Sequence, residues 1–276
     1  MGWWLESPLG LSVFCYAIGC FQVLCYLRNF DPVVDDGAFL WLQIGLVFQS
    51  IFLLGRWIAL GYVPVTNLPE ILTVLAFCLA AALVSGRFRA KAPLLTSLFL
   101  PFIFLLSLIS ISVSVIGKFN SPMAPILTTP RIASHVFLTL LGYSFFTLGF
   151  GVGLTYWIQE GQIKQHQMKK WALNLPALEL LDRLTVYYTG WGLVFWTAGL
   201  FLGVFQALLS WDQFPISDPK IIGSLLVLGI YTVFFLCRWG FQMRGRKTMI
   251  LVMAGYFLAF FTFVVVQVFL NSRHVF

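Results

Sequence analysis

The sequence predicts an all-α integral membrane protein, a bundle of about eight transmembrane helices with little mass outside the bilayer. Hydrophobic residues make up 60% of the 276-residue chain and charged residues only 10%, with a mean hydropathy of +0.91. A soluble domain carries roughly 25% charged residues, so this chain is too poor in charge to cover a water-facing surface. The 29 phenylalanines also suit contact with lipid better than the core of a soluble domain.

Eight apolar stretches are long enough to cross the bilayer hydrocarbon, which takes about 20 helical residues. They are predicted at Pro8–Leu27, Ala38–Leu60, Leu68–Ser85, Pro93–Ile116, Ile132–Ile158, Leu184–Leu209, Ile221–Trp239 and Thr248–Leu270. Each must be helical because lipid offers the backbone no hydrogen-bond partners. The first has neither a basic segment before it nor a cleavage motif after it, so we expect it to be retained. Because most connections are short, we expect a single integral membrane domain over residues 1–276.

Several spans begin with a helix-start signal. Asn67 and Glu70 have the three-residue spacing of a capping box at the start of the third span. A capping residue followed by proline precedes two further spans, at Thr129-Pro130 and Asp218-Pro219. These side chains are therefore expected to begin helices, whatever else they do.

Lysine and arginine predict the orientation of the spans. Twelve of these 17 residues fall in one set of loops and five in the other, which also contains both chain termini. Both termini are therefore expected outside the cytoplasm, in an inner (cytoplasmic) membrane crossed many times. The net charge of +7 reflects this bias, so the lipid bilayer and not a nucleic acid is the expected partner.

The sequence contains no pattern typical of an enzyme. None of the five cysteines forms a C-x-x-C pair or a C-x-x-C-H haem attachment motif. There is no nucleotide-binding loop, no catalytic triad order and no cluster of metal ligands. We therefore assign no catalytic residue, and expect at most a component of a larger complex.

Two histidines at the outer membrane boundary are the main candidates for chemistry. His135 lies near the outer end of the fifth span, and His274 follows the eighth. Ionisable residues inside a membrane are functional candidates, and two opposed imidazoles can hold a haem iron. Arg56 and Arg131 lie at the same boundary, where they would either pair with haem propionates or extend to the interface. His166 lies in the cytoplasmic segment 159–183 and is expected to be solvated.

The order of these features resembles the cytochrome c assembly superfamily, haem-handling membrane proteins of the CcsA, CcmC and HemX types. The resemblance covers about residues 56–276. The matching motifs are Arg56-Trp57, Gly61, Pro64, Asn67, Glu70, His135-Val136, Gly142-Tyr143, Leu181-Asp182, Trp211, Asp218-Pro219-Lys220, Tyr231, Gly245-Arg246-Lys247 and His274. The resemblance implies that His135 and His274 are axial ligands of a haem b held non-covalently at the outer face. It implies further haem contacts from Trp211, Asp218, Arg56 and Arg131.

The chain departs from the family at the loop W-G-x-x-W-x-W-D-P-K-E. Pro215 and Ser217 replace the two later tryptophans, and Leu236 falls where an intramembrane histidine is expected. The resemblance implies haem handling or delivery in c-type cytochrome assembly, with a partner membrane protein and apocytochrome c. The departures favour the alternative of a HemX-like membrane regulator of haem synthesis, acting on the level of glutamyl-tRNA reductase. A small-molecule transporter is disfavoured, because the predicted spans carry almost no charge apart from Arg56.

Overall fold

The computed structural model describes residues 7–90, 92–117, 128–166, 175–210 and 219–269. Within these ranges the chain is helical and contains no strand. The helices are α1 (Ser7–Asn29), α2 (Pro32–Leu60), α3 (Leu68–Arg89), α4 (Pro93–Ile116), α5 (Pro130–Lys164), α6 (Leu178–Ser210), α7 (Pro219–Phe235) and α8 (Arg246–Phe269). A π-helical turn, Leu236–Gly240, continues α7.

The predicted spans coincide with these helices, which confirms the all-α membrane fold. Seven helices, α1 to α7, are long and apolar enough to cross a membrane. Helix α4 has the predicted bounds, Pro93–Ile116. The eighth predicted span overlaps α8 but runs beyond the side chains that the structure describes, so it stays a prediction as a span.

Three helices extend six residues beyond one end of the apolar stretches that predicted them. Helix α2 begins at Pro32 instead of Ala38, and the Asp31 side chain caps it by accepting a hydrogen bond from a backbone N–H. Helix α5 continues to Lys164 and helix α6 begins at Leu178. The added turns carry ion pairs one helical turn apart: Glu160–Lys164 and Glu179–Arg183. Polar residues therefore extend the helices beyond their apolar stretches.

The chain divides into two compact units, Met1–Leu140 and Leu141–Phe276. In the first unit α1 packs against α2 and α4, and α3 against α4. The α1–α2 contact is close because Tyr16 packs its ring over Gly45, where a Cβ would lie 2.3 Å from a ring carbon. The expectation of one membrane domain over the whole chain stays a prediction.

The second unit has an aromatic core. Phe146 stacks on Tyr231 with ring centroids 4.0 Å apart, and Trp196 packs beside them. Gly142 on α5 lies against the α6 backbone, where a Cβ would come within 3.0 Å of the Trp196 backbone nitrogen. Small residues at such positions let membrane helices approach closely.

Large apolar side chains cover the outer surface of the described helices. Phe14, Ile58, Phe201 and Phe257 are each more than half exposed. A soluble protein rarely exposes apolar surface on this scale. The outward faces are therefore suited to lipid.

Candidate functional site

Arg56 is held inside the first unit by an ion pair. Its Nη2 donates to Glu70 Oε1 at 2.7 Å, and the side chains of Arg56 and Glu70 are 17% and 4% exposed. The guanidinium also lies over the Phe52 ring, 5.9 Å from its centroid. Neither of the sequence interpretations, a propionate partner or an arginine extended to the interface, included this carboxylate.

Glu70 combines two roles at the start of α3. Its backbone N–H donates to Asn67 Oδ1 at 3.0 Å, which confirms the predicted helix cap. Its Oε2 accepts hydrogen bonds from the backbone N–H and the hydroxyl of Thr66, both at 2.9 Å. The capping signal was readable from local spacing, whereas the bond to Arg56 joins residues fourteen positions apart.

A buried chain of hydrogen bonds joins helices α1 to α4 and reaches Pro69, next to Glu70. Tyr16 donates to Gln49 Oε1 at 2.7 Å, and the Gln49 side-chain amide donates to the Thr73 carbonyl at 3.0 Å. The Thr73 and Ser110 hydroxyls are 2.6 Å apart, and Ser110 donates to the Pro69 carbonyl at 2.8 Å. The last turns of α4 therefore lie beside the first turn of α3. Arg56 and Glu70 are consequently at the end of the unit where the chain leaves α4 for α5.

His135 lies in the second turn of α5 and is partly buried. The helix begins at Pro130, as the Thr129-Pro130 signal predicted. Arg131 is exposed and precedes His135 by four residues, which places the two on one face of the helix. An imidazole and a cation one turn apart fit the iron and a propionate of a haem, so the described part of the predicted site is compatible with that ligand.

The structure does not describe three of the predicted site residues. His274, Trp211 and Asp218 lie outside the described residues, so their predicted roles are untested. In the part of the chain that the structure describes, no three His, Cys, Asp or Glu side chains gather as a metal site. His166 lies in the turn after α5 with φ of 54°, and it is exposed, as predicted.

Two further arginines form ion pairs that the sequence analysis missed. Arg87, at the end of α3, binds Asp35, and its Nη2 also lies 2.9 Å from Asp36 Oδ1. In the second unit, Arg238 in the π-helical turn binds Asp182 near the start of α6. Both pairs join an aspartate at a helix start to an arginine at a helix end. That shared placement, an acid before one apolar stretch and an arginine at or just beyond the end of the next, was the available signal.

These features define the class: a polytopic helical membrane protein with its buried charges paired near helix ends and a half-buried histidine at the start of α5. The chain belongs to the cytochrome c assembly protein family, whose model matches residues 65–274. The resemblance found in the sequence is therefore confirmed.

Relatives of two kinds are similar to this chain. The cytochrome c biogenesis protein CcsA of Guillardia theta is 25% identical over 223 residues, covering 75% of this chain and 74% of the relative. Protein HemX of Bacillus subtilis is 26% identical over 264 residues, covering 90% of this chain and 92% of the relative. Protein HemX of Brevibacillus brevis is 25% identical, covering 85% of each chain.

Proposed function

We propose that this protein binds haem b non-covalently at the membrane face where α5 begins and delivers it in c-type cytochrome assembly. The observation that carries the proposal is that His135 and Arg131 lie on the same face of α5, within its first two turns. Membership of the cytochrome c assembly protein family and similarity to proteins named for cytochrome c biogenesis support it. The predicted orientation puts this face outside the cytoplasm.

The residues of this chain have distinct tasks in the proposal. His135 supplies a neutral imidazole nitrogen from a partly sheltered position, and His274 supplies the second. A bound haem would supply an iron with affinity for imidazole nitrogen and two negatively charged propionates. Arg131 neutralises a propionate through charge-assisted hydrogen bonds. Trp211 and Asp218 make further contacts with the ligand.

Arg56 takes a secondary part in this site. One of its five N–H groups donates to Glu70, so a guanidinium retains donors for a second anionic partner. Glu70 fixes the direction from which those donors approach. The recipients of haem are a partner membrane protein and apocytochrome c, and this chain has no assigned catalytic residue.

A regulatory role in haem synthesis is the second candidate. Similarity to HemX of Bacillus subtilis extends over 90% of this chain, against 75% for CcsA of Guillardia theta. The replacement of two loop tryptophans by Pro215 and Ser217 points in the same direction. In this role the segment 159–183 would contact a cytoplasmic partner, and glutamyl-tRNA reductase would change in abundance.

Complementation of a deletion strain separates the two functions. The strain receives the wild-type gene, the His135→Ala variant or the control His166→Asn. Asparagine is chosen at 166 because it tolerates a positive φ better than alanine. We expect covalent haem in c-type cytochromes to be restored by the wild type and His166→Asn and not by His135→Ala. Normal cytochromes in the deletion strain, together with altered glutamyl-tRNA reductase, would reject delivery in favour of regulation.

A further inference from the structure

An apolar groove opens on the surface of the second unit between α6 and the end of α7. Its volume is about 600 Å³, within the roughly 300–1,000 Å³ range of ligand pockets. Trp191 and Val194 on α6 face Phe235, Leu236 and Trp239 across it. The exposed fractions of Trp191 and Trp239 are 44% and 67%, so the groove is open to the surrounding bilayer.

An ion pair and a glycine keep the walls of the groove apart. The ion pair between Arg238 and Asp182 ties the π-helical turn to the start of α6, which fixes the two walls at that end. Gly190 lines the groove without a side chain, and a Cβ there would meet only the Phe235 ring at 3.5 Å. The groove is therefore formed before any ligand binds.

The shape of the groove suits a hydrocarbon chain. Its α6 wall runs from Val186 to Val194, about 12 Å at 1.5 Å per residue. That length is close to the thickness of one leaflet, about 15 Å of the 30 Å hydrocarbon core. Thr232 is the one hydroxyl on the α7 wall, and it donates to the Leu228 carbonyl at 2.8 Å.

A cation lies directly beyond the membrane-surface end of the groove. Arg183 is 74% exposed and precedes the lining residue Tyr187 by four positions, so both are on the same face of α6. Its partner Glu179 is equally exposed, and such surface pairs are weak enough to exchange for another anion. Arg244 and Lys247 are exposed on the segment that follows the π-helical turn.

We propose that this groove binds one anionic phospholipid, with an acyl chain between Trp191 and Trp239 and the phosphate at Arg183. The apolar walls select a lipid chain, and Arg183, together with the exposed Arg244 and Lys247 that follow the π-helical turn in the chain, selects a negative headgroup. The inference rests on the second unit alone and is independent of the proposed handling of haem.

Native mass spectrometry of the detergent-purified full chain tests the proposal. Dioleoyl phosphatidylglycerol and dioleoyl phosphatidylcholine share their acyl chains, so they differ only in headgroup. We expect the wild type to bind one phosphatidylglycerol more tightly than one phosphatidylcholine. Arg183→Gln should weaken phosphatidylglycerol binding roughly fivefold, the effect of one basic residue near a membrane surface. Arg28→Gln, at an exposed arginine in the last turn of α1, is the matched control and should leave binding unchanged.

A second variant tests the groove itself. Gly190→Leu fills the space between the walls and should abolish binding of both lipids, whereas Gly10→Leu, placed in open space on α1, should not. Equal affinity of the wild type for the two lipids would overturn the proposal, as would equal effects of Arg183→Gln and Arg28→Gln. The proposal would also be overturned if Gly190→Leu abolished the binding of a haem or of a second copy of the chain, because that ligand and not a phospholipid would then occupy the groove. If Gly190→Leu does not fold, the arginine pair decides alone, because those exposed substitutions leave the core intact.

Discussion

At the scale of single residues, the contribution of each charge to the stability of this membrane protein depends on its burial and on its partner. Arg87 is 5% exposed and contacts two carboxylates, of which Asp35 is fully buried and Asp36 is 76% exposed. A buried charge deprived of its partner is costly, while an exposed pair contributes little. The two neighbouring aspartates should therefore contribute very differently to stability.

Substituting each aspartate in turn tests this difference. Asp35→Asn removes the buried carboxylate that pairs with Arg87 and leaves only the exposed Asp36 beside it, so we expect a loss of about 3 kcal/mol in the free energy of unfolding. Asp36→Asn should change it by less than about 1 kcal/mol because water already screens that group. Denaturant unfolding in a fixed detergent measures both values. Similar losses for the two variants would show that burial does not govern this ion pair.

At the scale of helices, Gly142 explains how α5 and α6 pack so closely. A Cβ at this position would lie 3.0 Å from the Trp196 nitrogen and 3.2 Å from its Cα. These are backbone atoms of a helix, which cannot move aside as a flexible side chain can. Gly161, near the other end of the same helix, has open space around it.

Alanine at these two glycines should have effects of opposite sign. We expect Gly142→Ala to destabilise the protein by about 1–3 kcal/mol, because overpacking forces the helices apart. Gly161→Ala should stabilise it by about 0.4–1 kcal/mol, since alanine reduces the entropy of the unfolded chain at no steric cost. Thermal unfolding in detergent compares the variants. A stabilising Gly142→Ala would contradict the close α5–α6 contact.

The helices were readable from the sequence where their causes are local. The length of the apolar stretch predicted the first and last residues of α4, and the spacing of Asn67 and Glu70 predicted the start of α3. The early start of α2 was not predicted, although Asp31-Pro32 is a local capping signal of the same kind as Asp218-Pro219. The bond from Arg87 to Asp35 joins residues 52 positions apart and had no such signal. Contacts between distant segments cannot be read from local spacing in one sequence.

The same distinction applies to the candidate site. Arg131 and His135 were placed on one membrane boundary from sequence, and their common helix face follows from the four-residue spacing alone. The Arg56–Glu70 pair was missed because it depends on how α2 and α3 pack. The second proposed ligand, His274, is 139 positions from His135, so only tertiary structure can bring the two together.

At the scale of the whole molecule, the predicted orientation decides which membrane face carries His135. With both termini outside the cytoplasm, alkaline phosphatase fused after Phe276 should be active and green fluorescent protein there should be dark. Fusions after His166, which follows five helices, should show the reverse. The opposite pattern would place His135 on the cytoplasmic side and remove the basis for delivery to apocytochrome c.

The central claim is that His135 is an axial ligand of haem, and the absorption spectrum of the detergent-purified protein tests it most directly. The account predicts a Soret band with sharp low-spin bands on reduction, present in the wild type and in His166→Asn and lost in His135→Ala. Added imidazole should restore the low-spin bands to His135→Ala, which distinguishes loss of a ligand from loss of the fold. Identical spectra for all three proteins, or no haem after reconstitution with excess haem, would contradict the claim.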